Sequence, residues 1–424
     1  MRVKILGPHS IKGSVEAPSS KAYTHRALIT SLLSDGTSTI ERPLSCDDTD
    51  RTLEAIESLG ATVSREDETI KVQSTEPRSF PGPRIDCGES GATLRFLTAV
   101  SAAFPAETTL VTRGSLLSRP LIPLVDSLRT LGASVELRQQ KSTTEIRVRG
   151  PLAGGSVPVP GNISSQFVSG LLLAAPLATN DVKIQVTTML ESRPYVDLTL
   201  AIMRMHGVEV EVLPNGFFVS APQSYRRAEH QVPTDLSAAA FLLVAGITAG
   251  DELELSKVRE SPIEPDYELL HILSEMGVRL ERNEDNIKVA RTQLEGFKLD
   301  ASDHPDLVPA LEVLACQARG MSEIQGVGRL VHKESDRLRS VPQELGKMGA
   351  RINLVNDSLV IEGGHALFGR ELRSHCDHRV AMACATASLA AQGASIIEDA
   401  GVVSKSYPGF YEDLGKLGVD LLVE

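Results

Sequence analysis

The stretch EAIESLGATV, residues 54–63, sets the pattern for the whole chain. It reads as the end of an amphipathic helix, a glycine at residue 60 and the start of an alternating strand. Glycine suits this joint because the residue after a helix often adopts a left-handed conformation that a Cβ penalises. The same joint returns in LRTLGASVEL (Gly132), MRMHGVEVEV (Gly207), LSEMGVRLER (Gly277), LGKMGARINL (Gly349) and LGKLGVDLLV (Gly418). The six glycines lie 72, 75, 70, 72 and 69 residues apart, so the sequence predicts six copies of one unit.

Each unit also contains a second, more apolar helix about 35 residues before its glycine. These helices are apolar on most faces, which predicts burial on all sides. They are THRALITSLL, ATLRFLTAVSAA, QFVSGLLLAA, LSAAAFLLVAGI, LVPALEVLACQA and RVAMACATASLAA. A short strand follows each, and hairpin turns are indicated at Asn215-Gly216, Asp285-Asn286 and Asn356-Asp357. The predicted unit is therefore strand–helix–strand–helix–strand–strand, an α/β fold repeated six times.

Six such units are too many for one core, so we expect two domains of three units. The polar segment APQSYRRAEHQVP, residues 221–233, carries two prolines and indicates the linker. The second domain is then expected to begin near Thr234.

Composition narrows the classes of function. The chain has 424 residues, a formal net charge of −12, no Trp and only 4% aromatic residues. These values disfavour general attraction to nucleic acid or to anionic membranes. The five cysteines show no CxxC pair, the first ten residues show no apolar leader, and apolar runs are too short to cross a bilayer. We therefore expect a cytoplasmic protein.

The starts of the apolar helices carry polar and charged residues. A helix start presents unpaired N–H groups and the positive end of the helix dipole, which favours anions. These starts are SSKAYTHR with Lys21 and Arg26, GESGATLR with Gly91 and Arg95, GNISSQ with Ser164, Ser165 and Gln166, DHPD with Asp306, and CDHR with Asp377, His378 and Arg379. Further cations stand at Arg119, Arg193, Lys333, Arg337 and Lys405. If several starts face one cleft, an acidic protein can still bind an anionic small molecule.

Each motif alone also has a simpler interpretation. The serines of GNISSQ and the aspartates near Asp306 are common helix caps, and the charges of HKESDRLR could form a solvated helix face. The run His375 to His378 resembles a metal cluster, but four sequence neighbours rarely converge on one ion. The chain contains no GxxxxGK[ST], GxGxxG or GxSxG motif, so nucleotide-loop and serine-hydrolase functions lack support.

Taken together, the motifs resemble the 5-enolpyruvylshikimate-3-phosphate synthase family across essentially the whole chain. The landmarks, in order, are SSKAYTHRAL, GESGATLRFL, SRP at residues 118–120, GNISSQF, SRPYVD, HPD, KESDRL, DHRVAM and KSYP. The resemblance implies a two-domain inside-out α/β barrel of six βαβαββ repeats, with the active site in the cleft between the domains. It places residues 1–17 with 232–424 in one domain and 18–231 in the other.

The resemblance also implies the site residues, position by position. Shikimate-3-phosphate would be bound by Lys21, Ala22, Arg26, Ser164, Ser165, Gln166, Ser192, Tyr195, Asp306 and Lys333. Phosphoenolpyruvate would be bound by Lys21, Gly91, Arg119, Gln166, Arg337, His378, Arg379 and Lys405. The chain departs from the family at Ala22, where a serine is common, and at Glu89, where a carboxylate near an anion site is unexpected. We expect Glu89 to point away or to pair with a cation.

The implied chemistry is enolpyruvyl transfer to the substrate 5-hydroxyl through a tetrahedral ketal that expels phosphate. Asp306 would act as the base, and Lys21 and Glu334 would deliver a proton to the methylene carbon. The family implies no cofactor and no metal, and we expect a monomer whose domains close on the substrates.

Two other classes of function share features with this sequence. The UDP-N-acetylglucosamine enolpyruvyl transferases share the fold, but they carry a loop cysteine that RGSLLSRP lacks, and a Lys-Asn pair where this chain has Lys21-Ala22. A ring-shaped DNA clamp also has internal repeats, but it needs a basic inner surface, which a net charge of −12 disfavours.

Overall fold

The computed structural model describes residues 1–74 and 82–424. These residues form two compact units. One is a single segment, Ser19–Val232, which we call the continuous unit. The other combines Met1–Pro18 with Pro233–Glu424 and is called the discontinuous unit.

Twelve α-helices lie in the described part of the chain. They are α1 (Lys21–Leu33), α2 (Asp47–Ser58), α3 (Gly91–Ser101), α4 (Ile122–Thr130), α5 (Ser165–Ala174), α6 (Arg193–Met205), α7 (Leu236–Ala249), α8 (Leu269–Glu275), α9 (Val308–Gln317), α10 (Arg337–Lys347), α11 (His378–Ala390) and α12 (Phe410–Lys416).

The described strands form six small sheets. They are β1 (Arg2–Gly7), β2 (Ile11–Glu16), β3 (Ser34–Glu41), β4 (Thr62–Glu66), β5 (Thr69–Ser74), β6 (Arg84–Gly88), β7 (Thr108–Arg113), β8 (Ser134–Gln139), β9 (Thr143–Arg149), β10 (Gly155–Val159), β11 (Val182–Val186), β12 (Glu211–Leu213), β13 (Gly216–Val219), β14 (Tyr225–Arg226), β15 (Glu229–Gln231), β16 (Gly250–Ser256), β17 (Glu281–Arg282), β18 (Ile287–Val289), β19 (Lys298–Asp300), β20 (Gly320–Gln325), β21 (Arg351–Val355), β22 (Ser358–Gly363), β23 (Glu371–Arg373), β24 (Gly393–Glu398) and β25 (Leu421–Val423).

One strand order repeats through the sheets. In the sheet β6-β7-β9-β8 the first pair is parallel and the other two pairs are antiparallel. The sheets β10-β11-β13-β12 and β19-β20-β22-β21 repeat this order. The parallel pair is joined by a buried helix, as a parallel connection requires. The prediction of six α/β repeats is confirmed.

The other three sheets take a strand from elsewhere in the chain. Strand β1 occupies the third position of β23-β24-β1-β25, and β2 pairs in parallel with β16. Strands β14 and β15 pair in parallel with β3. The segment 221–233, interpreted from its composition as a linker, therefore contains two short strands. They supply the leading strand of the first repeat, because β2, which precedes that repeat in sequence, belongs to a sheet of the discontinuous unit.

The six predicted apolar helices are buried, and they are α1, α3, α5, α7, α9 and α11. In α7 every residue except Thr248 is buried. Two separate hydrophobic cores result, one in each unit. Each core contains three of these helices together with residues from the strands and the other helices. Because the apolar helices are buried on nearly all sides and the sheets lie outside them, the prediction of an inside-out arrangement is confirmed. Within the described ranges, no helix is both long enough and apolar enough to cross a membrane.

The six joint glycines all adopt the predicted left-handed conformation, with φ between 77° and 106°. At Gly60, for example, α2 has ended at Ser58 and Leu59 is its C-cap. The amide of Gly60 then bonds to the carbonyl of Glu57. The chain reverses there into β4, as the sequence pattern predicts.

Candidate active site

The starts of α1, α3 and α5 lie side by side in the continuous unit. The guanidinium of Arg26 lies 5.0 Å from the ring centre of Phe96 and 3.5 Å from the Ser169 hydroxyl. Arg26 and Phe96 are each five residues after the first residue of their helix, and Ser169 is four residues after the first residue of α5. At the other ends, Leu33, Phe104 and Leu177 line one cavity. The three helices therefore run in the same direction, and their positive ends are neighbours.

A serine caps each of these helix starts. The hydroxyls of Ser20, Ser90 and Ser164 accept hydrogen bonds from backbone amides of the first turns, at 3.1, 3.3 and 3.3 Å. Each cap stabilises the first turn of its helix. The dipoles of the three helices together favour an anion near these starts.

Lys21, the first residue of α1, forms an ion pair with a carboxylate that sequence reasoning missed. Its Nζ lies 2.9 Å from Oδ2 of Asp48, at the start of α2. The side chains are 19% and 11% exposed, so the pair is largely shielded from solvent. The sequence does show an acidic run at the start of α2, but it does not show which cation this run contacts in the folded protein.

Gly91 leaves room for two arginines at the start of α3. A Cβ on Gly91 would lie 3.0 Å from Nη1 of Arg119 and 3.1 Å from Nη1 of Arg95. Arg95 also donates to Oε1 of Gln166 at 2.6 Å and to the carbonyl of Pro120 at 3.0 Å. The structure thus groups three predicted phosphoenolpyruvate ligands, Gly91, Arg119 and Gln166, around Arg95.

Arg26 braces the helices from inside. Its guanidinium donates to the Thr199 hydroxyl at 2.7 Å, the Tyr195 carbonyl at 3.0 Å and the Ala22 carbonyl at 2.8 Å. Ser192, the N-cap of α6, is buried and has a left-handed φ of 53°. A non-glycine residue in this conformation stores strain, which is frequent at binding sites. The substrate contacts predicted for Arg26, Ser192 and Tyr195 stay predictions.

Glu89 is held by the turn that precedes Arg119. Its Oε2 accepts hydrogen bonds from the backbone amide and the hydroxyl of Ser115, both at 3.1 Å. Gly114 makes this contact possible, because a Cβ there would collide with the carboxylate. The unexpected carboxylate thus anchors the loop that carries Arg119.

Asp306 is the centre of a charge network in the discontinuous unit. Its Oδ1 lies 2.9 Å from Nζ of Lys333, 2.9 Å from Nη1 of Arg337 and 3.6 Å from Nε of Arg379. Burial alone would raise the pKa of Asp306, but the three cations outweigh it and hold the pKa well below the usual value. Burial lowers the pKa of Lys333 to about 8, although Asp306 opposes that shift.

Asp377 is a second carboxylate of this network, and the sequence-based site did not include it. It binds Arg337 through both oxygens, at 2.8 and 3.0 Å, and accepts the backbone amide of Arg379 at 3.0 Å as the N-cap of α11. A bidentate contact of this kind fixes the plane of the guanidinium. Arg337 therefore reaches Asp306 in a defined orientation.

Glu334 and His378 form a third contact of the discontinuous unit. Glu334 Oε2 lies 2.8 Å from Nδ1 of His378, the first residue of α11. Shortly before His378 in the chain, His375 and Cys376 both have left-handed φ values, 52° and 57°. Lys405 donates to the carbonyl of Cys376 at 3.1 Å, so the strained turn holds the last predicted cation.

The same residues offer one potential metal-ligand set. One ligand atom each from Glu334, Asp377 and His378 lies within 4.8 Å of the others. The Asp377 oxygens already bind Arg337, and Glu334 already contacts His378. A guanidinium bound to both oxygens of a carboxylate competes with a metal cation for it, so this arrangement suits an ion-pair network better than a metal site.

The predicted site residues thus fall into two groups, one in each unit. The continuous unit carries Lys21, Ala22, Arg26, Gly91, Arg119, Ser164, Ser165, Gln166, Ser192 and Tyr195. The discontinuous unit carries Asp306, Lys333, Glu334, Arg337, His378, Arg379 and Lys405. The first combines cations with helix starts and suits anion binding. The second adds carboxylates and an imidazole, and so can also exchange protons.

Comparisons with known proteins agree over the whole length. The family of EPSP synthase (3-phosphoshikimate 1-carboxyvinyltransferase) matches residues 5–414. The 3-phosphoshikimate 1-carboxyvinyltransferase of Methanocorpusculum labreanum is 38% identical over 99% of both chains. That of Clostridium kluyveri is 36% identical over 99% of this chain and 98% of its own.

Solved structures show the same architecture. An EPSP synthase from Acinetobacter baumannii is 25% identical and superimposes with a TM-score of 0.83, over 100% of this chain and 99% of its own. The enolpyruvyl transferase NikO from Streptomyces tendae, 20% identical, has a TM-score of 0.76 over 99% of this chain and 98% of its own, which shows the fold alone. With its sequence matched from residue 5 to residue 414 and its landmark residues gathered at the helix starts, this chain belongs to the EPSP synthase family.

Proposed function

We propose that this protein transfers the enolpyruvyl group of phosphoenolpyruvate to the 5-hydroxyl of shikimate-3-phosphate and releases phosphate. The reaction belongs to the shikimate pathway, which leads to chorismate and the aromatic amino acids. The observation that carries the proposal is the network in which Asp306 meets Lys333, Arg337 and Arg379. It combines a carboxylate that can accept a hydroxyl proton with cations that can bind phosphate and carboxylate groups.

Residues of both groups contribute to the proposed binding of the two substrates. Shikimate-3-phosphate is bound by Lys21, Ala22, Arg26, Ser164, Ser165, Gln166, Ser192, Tyr195, Asp306 and Lys333. Phosphoenolpyruvate is bound by Lys21, Gly91, Arg119, Gln166, Arg337, His378, Arg379 and Lys405. Ala22 has no side-chain donor, so it contributes only backbone. Arginines suit the carboxylate and phosphate of phosphoenolpyruvate because a guanidinium donates two parallel hydrogen bonds.

Addition comes first in the proposed reaction. The 5-hydroxyl oxygen forms a bond to C2 of phosphoenolpyruvate and gives its proton to Asp306. At the same time, the C2–C3 double bond takes a proton at the methylene carbon from Lys21 or Glu334. The product is a tetrahedral ketal that still carries phosphate.

In the elimination, the new methyl group returns a proton to Lys21 or Glu334, whichever supplied it. The C2–C3 double bond re-forms and the C–O bond to phosphate breaks, and the departing phosphate takes the proton that Asp306 held. Arg337 and Arg379 stabilise the negative charge on the leaving phosphate. Atoms and charges balance without a cofactor or a metal ion.

The low pKa of Asp306 constrains how it can act. A carboxylate flanked by three cations is ionised at neutral pH and is a weak base. Full removal of the proton before attack would therefore be costly. We infer that Asp306 takes the proton as the new C–O bond forms, when the hydroxyl becomes more acidic.

We further infer that the protein acts as a monomer in the cytoplasm. All the proposed ligands come from one chain. No disulfide joins any of the five cysteines, and four of them are buried, which is compatible with a reducing compartment.

The decisive experiment measures phosphate release by the purified protein with phosphoenolpyruvate and each of two acceptors. Release is expected with shikimate-3-phosphate and not with UDP-N-acetylglucosamine. Mass spectrometry of the product should show the gain of one enolpyruvyl group by the acceptor. Turnover with the UDP-sugar alone would overturn the proposal in favour of the related transferase.

A further inference from the structure

A row of hydrogen-bonded side chains crosses the interior of the continuous unit. The Tyr23 hydroxyl lies 3.2 Å from Nδ1 of His230, and Nε2 of His230 lies 2.9 Å from Nε2 of His206. Nδ1 of His206 lies 2.6 Å from the carbonyl oxygen of Arg226. The three side chains are 2%, 1% and 0% exposed. We call Tyr23, His230 and His206 the histidine chain.

The hydrogen positions in the histidine chain can be assigned by starting at its last contact, between His206 and the Arg226 carbonyl. Burial lowers the pKa of His206 to about 4 and that of His230 to about 3, so both rings are neutral at pH 7. A carbonyl only accepts, so Nδ1 of His206 carries the hydrogen and its Nε2 is an acceptor. His230 must then donate through Nε2 and accept at Nδ1. The Tyr23 hydroxyl therefore donates to His230 at 3.2 Å, in preference to the weaker acceptor Sδ of Met205 at 3.6 Å.

This order of protons gives each ring only one orientation and one tautomer. Turning either ring over, or moving one proton, would bring two acceptors or two donors together. Inside a protein, such a mismatch costs more than a hydrogen bond exposed to water. The histidine chain is therefore a rigid connection between its end points.

The connection ends at the first turn of α1. Tyr23 is the third residue of that helix, and its backbone amide donates to the cap hydroxyl of Ser20. Lys21 lies two residues earlier and reaches Asp48 at 2.9 Å. On the other side, His230 belongs to β15, and His206 is the C-cap of α6.

We propose that the histidine chain positions Lys21, by fixing the first turn of α1 to β15 and to the end of α6. The proposal rests on the role proposed above for Lys21 in binding the substrates and delivering a proton. Tyr23, His230 and His206 are positioning residues, which act on the reaction only through the place of that lysine.

Tyr23→Phe tests the proposal with the loss of one oxygen atom. The ring still fills its place, but His230 loses its donor and α1 loses its link to β15. With shikimate-3-phosphate and phosphoenolpyruvate, kcat is expected to fall roughly threefold to tenfold, the effect of losing one buried hydrogen bond. Hydrogen–deuterium exchange should become faster in the peptide that contains the first turn of α1.

Tyr225→Phe is the matched control. Tyr225 is as buried as Tyr23, lies in the same unit, and donates through its hydroxyl to the Leu173 carbonyl at 2.9 Å, near the end of α5. The control should lose similar stability, but keep kcat and the exchange at the start of α1. Equal kinetic losses in both variants would show a merely structural role and overturn the proposal.

His230→Asn tests whether the acceptor for Tyr23 is what matters. Its amide oxygen takes the place of Nδ1, so the link of Tyr23 to β15 persists while the link to His206 is lost, and kcat should fall less than in Tyr23→Phe. A loss as large as that of Tyr23→Phe would contradict the proposal.

The exchange measurement separates this proposal from the proposed function. If the parent protein does not turn over these substrates, the proposed function fails. Faster exchange at the start of α1 in Tyr23→Phe, but not in Tyr225→Phe, would still support the positioning of Lys21. Unchanged exchange in both variants would overturn it.

Discussion

At the scale of single residues, the charge network of the discontinuous unit is centred on Asp306, a carboxylate with three cationic neighbours. Asp306 touches Lys333 and Arg337 directly, and Arg379 lies 3.6 Å away. Each cation favours the ionised carboxylate, and the carboxylate favours the charged form of Lys333. A change at either Asp306 or Lys333 therefore alters the charge of the network and, in the proposed mechanism, both substrate binding and proton transfer.

Asp306→Asn is expected to lower kcat by about 10²- to 10⁴-fold, because the amide keeps the shape but cannot accept the hydroxyl proton. Circular dichroism should show that the fold is retained. Asp251→Asn, at an exposed position of β16 in the same unit, removes the same charge away from Asp306 and should leave kcat within about twofold. A near-parental rate for Asp306→Asn would remove Asp306 as the base.

Lys333 should produce a basic limb in the pH profile. Burial lowers its pKa to about 8, so its charge is lost as pH rises through that value. For the parent protein, kcat/KM for shikimate-3-phosphate should fall above about pH 8, since the neutral amine binds phosphate poorly. In Lys333→Arg the limb should disappear, because a guanidinium stays charged. The exposed Lys298→Arg should keep it, and a limb that persists in Lys333→Arg would belong to another group.

At the scale of elements, the helix starts carry the proposed binding residues, and the smallest of these residues, Gly91, determines how much space is left for two arginines. Gly91 begins α3, and a methyl group there would press on Arg119 and Arg95 at 3.0 and 3.1 Å. Both contacts are to the ends of flexible side chains. The helix can therefore tolerate the methyl group, but the guanidiniums must move.

Gly91→Ala should raise KM for phosphoenolpyruvate about tenfold, because a shift of well under 1 Å misplaces both arginines. KM for shikimate-3-phosphate should change less than twofold. Gly346→Ala in α10 is the matched control, since its added methyl group meets open space. It should leave both KM values unchanged. Equal effects on the two substrates would contradict the assignment of Gly91 to phosphoenolpyruvate.

Helix α9 carries a buried acid that the mechanism does not use. Glu312 is 0% exposed, and neither carboxylate oxygen has a hydrogen-bond partner among the described residues. Burial raises its pKa well above the usual value of 4.5. The folded protein therefore keeps a proton that the unfolded chain releases above about pH 4.5. The stability that this proton contributes is complete below that pH and decreases as pH rises towards the folded-state pKa.

Glu312→Met should raise the free energy of unfolding by about 1–3 kcal/mol at pH 7, because the buried carboxyl group lacks a partner. The gain should be smaller at pH 5 than at pH 8, in urea melts followed by circular dichroism. Glu295→Met, at an exposed position, should change stability by less than about 0.5 kcal/mol at either pH. A gain independent of pH would mean that Glu312 is not protonated in the folded state.

At the scale of the whole molecule, the two units are built differently from the chain. The core of the continuous unit uses residues between Tyr23 and Val232 only. The core of the discontinuous unit needs Val3, Ile5, Ile11, Val15 and Ala17 from the N-terminal segment. Strand β1 also bonds to both β24 and β25, so its loss would leave two strand edges unpaired.

The fragment 19–232 should therefore fold alone and unfold cooperatively on heating. The fragment 233–424 should not, because it lacks β1, β2 and their core residues. A synthetic peptide of residues 1–18 should restore a cooperative transition to the second fragment. A cooperative melt of 233–424 without the peptide would contradict this account.

The sequence alone determined the features that depend on local chain chemistry. The left-handed glycines, the serine caps and the apolar helices follow from the preferences of neighbouring residues, so Gly60 and Ser164 could be assigned from motifs. Resemblance to a family then placed most of the candidate ligands at helix starts. Their roles remain proposals, because position along the chain does not show what a side chain binds.

Only the tertiary structure decided which distant residues meet. Lys21 pairs with Asp48 across 27 residues, Arg337 with Asp377 across 40, and Tyr23 with His230 across 207. It also decided that β1 and β2 complete sheets of the discontinuous unit, and that β14 and β15 replace β2 beside β3. Such pairings depend on how the chain returns on itself, and no local preference records that path. The six joint glycines mark the repeated unit in the sequence. The packing of the helices between these glycines brings the charged side chains of distant segments into contact.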